Sequence, residues 1–585
     1  MTARIGSFPS WSWLKPRQLD PSTERPLALA TIRRLYSFTN PHRWVRSILV
    51  VLVLIRALQL PLLSWGIAKI LSGSIAHRDL GGLWHGLLAL LALVLVTEIN
   101  FVYRMRLALQ FGETVVCDLR SAIFGHLLKM PMSFFHRVPL GAILSRVTSD
   151  VDVIRVGIQD VVFVSTVQLL GMIIAGLLMV YYDWTLFLVV VAFVPIVWLM
   201  IRYFSGRIRE AYREVQETYS RLTASIAESV NRVRVIQAFC REARNDEEFK
   251  KQVTLHARNN YQCAAESATF VPLLEMNGQV VLSLIIVLGG VQVLRGGVGL
   301  DSLVQFLFLS ELFFGPIPIL GRQYNQALSA MAGAERVFAL LDTPPDWCDA
   351  PTAKVMPKIH GQLEFRDVHF GYAPNRDVLR GISFQVRQGQ SVALVGETGS
   401  GKSTITRLVS KLFLPTAGQV LVDGHDLREI SSESLHAQLA SVPQDNFLFS
   451  GTVLDNIRFA RPDASEAEVR TVAERLDVLD LIERMPAGFL TEVGEKGGNL
   501  SLGERQILCF VRAMLADPKI LVLDEATSAI DAVTEARLQS AVQRLLVGRT
   551  SVIVAHRLST ILHSDQILVL SEGRIVERGR HAELL

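Results

Sequence analysis

The run VALVGETGSGKST at residues 392–404 decides how the second half of this chain folds. Val392 to Val395 form an apolar segment that reads as a buried strand. Gly396-Glu397-Thr398-Gly399-Ser400-Gly401-Lys402-Ser403 then turns the backbone, and Thr404 continues into a helix. Glycines let such a loop point its N–H groups inward around phosphate oxygens, and the start of the helix adds its positive end. Lys402 is long enough to reach β- and γ-phosphates, and the Ser403 hydroxyl can ligate Mg²⁺. The stretch therefore predicts a phosphate-binding loop for a nucleotide.

A second strand, KILVLDEATS at 519–528, ends in Asp524-Glu525. A carboxylate at a strand end beside phosphates suits Mg²⁺, directly or through water, which makes Asp524 a metal ligand. Glu525 follows where a carboxylate can polarise an attacking water. An acidic pair after an apolar strand is weak evidence alone; it gains weight from the loop upstream. From Gly361 onward short β-branched strands alternate with helical segments, as in an α/β layer domain over 361–585. The run TPPDWCDAPTAKVMPK carries Pro344, Pro345, Pro351 and Pro357 and reads as a linker over 343–360.

The first half is of another kind. Half of all residues are hydrophobic and 19% are charged, the mean hydropathy is +0.33, and the apolar excess lies almost entirely before residue 330. Six stretches near 45–72, 83–110, 158–182, 185–206, 267–294 and 302–324 are long enough to cross a bilayer as helices. Three connections are short, one of them little more than Tyr182, Asp183 and Trp184. Those on the other side are long and rich in Lys and Arg, for example Arg120, Arg137, Arg232 and Lys250. That bias predicts both termini in the cytoplasm. Apolar residues recur at helical spacing through 208–256 without proline, so the spans are expected to continue as amphipathic helices beyond the bilayer. Arg56, Glu98, Glu275, Gln305 and Glu311 fall within spans. Such groups pair with each other, or sit near a membrane edge, or face a watery cavity in contact with substrate.

A net charge of +4 over 585 residues gives no case for a nucleic-acid partner. Five scattered cysteines without a CxxC pair or a histidine cluster read as ordinary thiols. The first forty residues carry no short apolar core ending at a small-residue cleavage site, so no signal peptide is expected, and residues 1–30 read as an N-terminal cytoplasmic segment.

Further runs make a resemblance specific. The second half resembles the nucleotide-binding domain of ATP-binding cassette (ABC) proteins, and the whole chain looks like an exporter half-transporter of that superfamily. LSLGERQ at 500–506 stands where the family carries its signature motif. Gln444, in VPQDNFLFSGTVLDNI, matches the lid glutamine that touches Mg²⁺; Asp531, ending SAID, matches the loop that meets the partner subunit. His556 in IVAHRLST matches the histidine on the γ-phosphate, and Tyr372 in FGYAPNRDVLRGISF the aromatic that stacks on adenine. TEVGEKG at 491–497 matches the exporter segment that contacts membrane helices. Within 132–155 and 230–249 the chain resembles the two cytoplasmic connections of exporters, with transverse helices expected near Arg137–Leu144 and Val235–Cys240.

The resemblance implies a multidomain fold: an all-α six-helix transmembrane domain over 31–342, then an α/β P-loop ATPase domain. ATP and Mg²⁺ are the implied ligands. The loop residues Gly396 to Thr404, with Tyr372 and Gln444, would hold ATP in one subunit, and Ser501, Gly503 and Glu504 would cap it from the other. Lys402, Glu525 and His556 would carry hydrolysis. One departure stands out: the usual Leu-Ser-Gly-Gly-Gln signature is here Leu500-Ser501-Leu502-Gly503-Glu504. Leu502 adds bulk and Glu504 a negative charge near the expected phosphate. Beside an otherwise complete catalytic set, this resembles the catalytic member of heterodimeric bacterial multidrug exporters, with a homodimer as the alternative. The expected activity is ATP-driven export of hydrophobic or amphipathic small molecules across the bacterial cytoplasmic membrane. A lipid flippase, or an importer built on the exporter fold, is the alternative.

Overall fold

The computed structural model describes residues 29–373, 376–524, 532–555 and 561–585. The chain forms two compact units. One takes residues up to His126 and Ile143–Thr343; the other takes Leu127–Ala142 and Pro344–Leu585.

Among the described residues six helices, almost wholly in the first unit, are long and apolar enough to cross a membrane: α1 (Asn40–Ile75), α2 (Leu80–Leu127), α3 (Leu140–Tyr182), α4 (Trp184–Asn231), α5 (Glu242–Leu294) and α6 (Leu300–Asp342). At 1.5 Å per residue, the 48 residues of α4 span about 72 Å, more than twice the hydrocarbon thickness. The amphipathic stretch therefore does continue the span as helix. Asp183 makes the turn between α3 and α4 by capping α4. Its carboxylate accepts from the Thr185 and Leu186 N–H groups and from the Thr185 hydroxyl, at 2.7, 3.2 and 2.6 Å. Gln292 of α5 donates to that same hydroxyl at 2.9 Å. Around this end Ala175, Met179, Leu186, Val190, Val281, Ile285, Phe306 and Leu309 pack into a core. Lower down, buried Asp150 accepts from the Arg336 guanidinium through both oxygens, which ties α3 to α6. Beyond α4 a short helix, Val233–Ala238, buries none of its residues, and the following Phe239 is 73% exposed. It lies two residues earlier than expected.

In the second unit the Leu127–Ala142 segment contains the short helix Met132–Arg137. The sequence predicted a helix from Arg137, whereas the break falls there. Pro139 pushes Val138 into an extended conformation, φ −103° and ψ 120°, so one helix ends before it and the next begins at Leu140.

The rest of this unit holds two main sheets. One is antiparallel, ordered β2 (Leu379–Val386), β1 (Leu363–Phe370), β4 (Ala417–Val422), β5 (His425–Asp426). The other runs β12 (Arg574–Gly579), β11 (Gln566–Ser571), β3 (Ser391–Gly396), β10 (Thr550–Val554), β9 (Ile520–Asp524), β6 (Leu439–Val442). From β11 to β6 its strands are parallel. Its central strands are buried on both faces, which is why they read as continuous apolar runs and not as alternating ones. Within this unit Asn456 is buried and clamps the loop after β6, bonding both the N–H and the carbonyl of Phe449 at 2.8 Å. Arg512 in turn donates to the Asn456 carbonyl and side-chain oxygens.

Candidate functional site

The phosphate-binding loop leaves the carboxyl end of β3 and enters α7 (Lys402–Val409). Gly401 sits at φ +107°, and a Cβ there would meet the Leu379 side chain at 2.6 Å, so both backbone and space require glycine. Gly396 allows the loop to pass directly over the Leu570 carbonyl oxygen. Lys402 is buried, and its Nζ donates to the Gly396 and Glu397 carbonyls at 2.7 and 2.8 Å. Burial lowers its pKa, opposed by the attraction of Asp524.

Strand order explains that proximity. Val554 of β10 lies beside both Leu394 and Asp524, so β3 and β9 present their carboxyl ends on either side of one strand. On the far side of β9, Val442 of β6 is in register with Leu523, which sets Gln444 two residues beyond the same sheet edge, exposed. The loop, Asp524 and Gln444 thus converge on one end of the sheet. Glu525, Asp531 and His556 lie outside the described residues.

Tyr372 stands against the first turns of α7: its hydroxyl is 3.1 Å from Thr404 Oγ1 and accepts from Arg407 at 2.9 Å. Three further rings surround it, Phe370 at 4.9 Å, Phe413 at 5.3 Å and His136 at 5.9 Å between centroids. His136 comes from the helix Met132–Arg137, whose Arg137 and Ser133 both bond Asp346 of the same unit. Sequence reasoning missed His136, Arg407 and Phe413, because nothing local joins positions so far apart in the chain.

His136 is exposed on one side, but partial burial against Tyr372 and Phe413, and then the nearby Arg407 guanidinium, hold its imidazole below its usual range. A depressed histidine favours the packed arrangement while neutral; that contribution is present above the ordinary imidazole pKa and is lost as pH falls through the lowered one. Wild-type ATPase activity should therefore drop more steeply from about pH 7.5 to about pH 5.5 than that of His136→Phe. Parallel pH profiles would remove the role.

The signature region begins α8 (Leu502–Leu515), with Ser501 as its N-cap. The Ser501 hydroxyl accepts from the Glu504 N–H at 3.2 Å, and the Glu504 carboxylate accepts from the Ser501 N–H at 2.7 Å, a capping box. Glu504 therefore also has a local task in the helix start, in addition to bringing negative charge. The hydroxyl proton of exposed Ser501 stays free of that bond and can donate to an anion, beside the N–H groups around buried Gly503.

The residues fit a nucleotide with its metal. The Ser400 hydroxyl is buried without a partner among the described residues, on a loop that glycine alone allows. Ser403, Gln444 and Asp524 supply hydroxyl, amide and carboxylate oxygens, the hard donors that Mg²⁺ takes.

Comparison with known proteins agrees. Residues 47–317 match the family model of the ABC transporter transmembrane region, and residues 379–528 match the ABC transporter model. The chain belongs to the ABC transporter family. It is 34% identical over 559 residues to an uncharacterised ABC transporter ATP-binding protein of Bacillus subtilis, covering 95% of this chain and 92% of that protein. It is 33% identical to an ATP-dependent lipid A-core flippase of Syntrophus aciditrophicus, with 98% and 94% covered. A fatty acid ABC transporter ATP-binding/permease protein of Mycobacterium bovis is 33% identical, over 85% of this chain and 78% of that one. A bacterial Atm1-family ABC exporter solved with ATP bound superposes with a TM-score of 0.77 at 26% identity, over 93% of this chain and 96% of that one. This ABC transporter is thus an exporter half-transporter: a multi-pass membrane protein that binds and hydrolyses ATP to drive export, on a fold that works as a dimer.

Proposed function

We propose that this half-transporter exports amphipathic small molecules, lipid-like or drug-like, across the bacterial cytoplasmic membrane, with both termini in the cytoplasm. The observation that carries the ATP-driven part is the convergence of the Lys402 loop, Asp524 and Gln444 at one sheet edge. The substrate class rests on the lipid A-core and fatty acid relatives.

In this reading the loop N–H groups from Gly396 to Gly401 and the Lys402 ammonium hold the β- and γ-phosphates of ATP, Thr404 follows at the loop's exit, and Tyr372 stacks on the adenine. Magnesium held by Ser403, Gln444 and Asp524 would neutralise phosphate charge there. Glu525 orients the attacking water and His556 contacts the γ-phosphate, while Ser501 and Gly503 cap the nucleotide held by the other subunit. Asp531 meets that subunit. ATP favours the closed pair, hydrolysis releases it, and the membrane helices follow the two states. The partner is a distinct half-transporter: this chain keeps Lys402 and Asp524 in place but presents Leu502 and Glu504 in its signature.

Direction of transport is the test. Inside-out vesicles carrying the transporter should accumulate a fluorescent lipid analogue or a hydrophobic dye when ATP is added. ATP-dependent depletion from such vesicles would make it an importer and end the export reading.

A further inference from the structure

Two guanidinium groups lie inside the apolar part of the membrane unit, on one aromatic ring. Arg56 of α1 and Arg104 of α2 stand 5.3 and 5.4 Å from the Phe101 centroid. Thr97, Asn100 and Arg104 follow one another at helical spacing and are all buried, so they form a polar stripe along α2. Across from it on α1 are Arg56 and Gln59, three residues apart. Asn100 donates to the Gln59 side-chain oxygen at 2.9 Å, and Arg56 donates to the Thr97 carbonyl at 3.3 Å.

This bonding leaves most of the guanidinium N–H donors without an acceptor among the described residues. Arg104 is 7% exposed and its Nε has no partner among the described residues. Each guanidinium has five N–H donors. Among the described residues Arg56 uses one of them, on a carbonyl, and neither arginine forms an ion pair with a carboxylate. Glu98, the nearby acid on α2, attracts Arg56 through space, but it is exposed and forms no hydrogen bond with it. A charged side chain within a membrane-spanning segment is costly and is retained where something pairs with it. The planar fork matches a phosphate or carboxylate, which can accept from two guanidiniums at once. Beside the stripe, Leu54, Leu58 and Phe101 stay exposed as an apolar surface along which an acyl chain can lie.

We propose that Arg56 and Arg104 form a subsite for the anionic headgroup, phosphate or carboxylate, of a single-chain amphiphile. The inference rests on the reading of the chain as an amphiphile exporter and narrows its substrate class to acidic amphiphiles.

Binding in the absence of ATP tests the subsite. Full-length protein in a neutral detergent is titrated with lysophosphatidic acid and with lysophosphatidylcholine of the same acyl chain. Wild type should bind the acid about tenfold more tightly. Arg104→Gln and Arg56→Gln should each reduce that preference, their double variant should abolish it, and Arg104→Lys should retain part of it. Retained ATP binding checks that each variant is folded, and Arg56→Gln serves alone if Arg104→Gln is not. Equal wild-type affinities, or a preference that survives both glutamines, would overturn the subsite. Displacement by excess inorganic phosphate would assign it to small soluble anions and overturn the amphiphile. The outcome is separable from export: a headgroup preference without ATP-dependent accumulation in vesicles would sink the export reading alone.

Discussion

Replacing Glu525 by Gln is expected to lower steady-state phosphate release by about 10²- to 10³-fold while ATP binding persists. The change removes a negative charge but little volume, so the pocket for nucleotide should survive and only the handling of water should fail. The same variant tests the pairing of subunits. In a heterodimer whose other half lacks a suitable carboxylate, Glu525→Gln in this chain alone removes nearly all turnover. Restoring Leu502→Gly and Glu504→Gln should then change turnover little, because the altered signature serves the weaker site. A stable dimer of this single chain with brisk, drug-stimulated ATPase would end the heterodimer reading, and near-normal turnover in Glu525→Gln would end the catalytic role.

Lys402→Ala should act earlier, on binding. The ammonium is buried between two loop carbonyls, at 2.7 and 2.8 Å, and is the charge at the centre of the loop. Its removal would take away the charge-assisted bonds proposed to phosphate and also the brace that holds the Gly396 and Glu397 carbonyls. ATP affinity should fall by about tenfold or more, with turnover falling further. Lys402→Arg should not rescue it, because the planar fork is larger than the space a compact ammonium fills. Direct nucleotide titration and phosphate release measure the two effects separately; unchanged affinity in Lys402→Ala would contradict the assignment.

Much of this was legible in the residues, for reasons that differ by region. Spans declare themselves because a bilayer demands long apolar helices, and Asp183 between Tyr182 and Trp184 leaves room only for a tight turn. The central strands announce themselves because sheets buried on both faces need uninterrupted apolar runs, as in KILVL and VALV. Ser501 and Glu504 stand at capping-box spacing, so their mutual bonds were readable in principle, although the likeness of the signature directs attention to the added charge instead. Val138-Pro139 likewise carries its own helix break, which a resemblance placed a few residues late. What no local pattern contains is the meeting of His136 with Tyr372 and Phe413, or of Arg56 with Arg104 on Phe101. Those depend on how distant segments pack.

The residues Leu127–Ala142 fold with the second unit although both their neighbours in the chain belong to the first. The covalent thread between the units is therefore crossed in three places, and a protease cutting after Thr343 breaks only one of them. The ATPase unit would stay tethered through a segment anchored at both ends. A fragment beginning at Pro344 would be short of part of its own fold: it would lose Ser133 and Arg137 from Asp346 and would uncover the side of Tyr372 and Phe413 that His136 packs against.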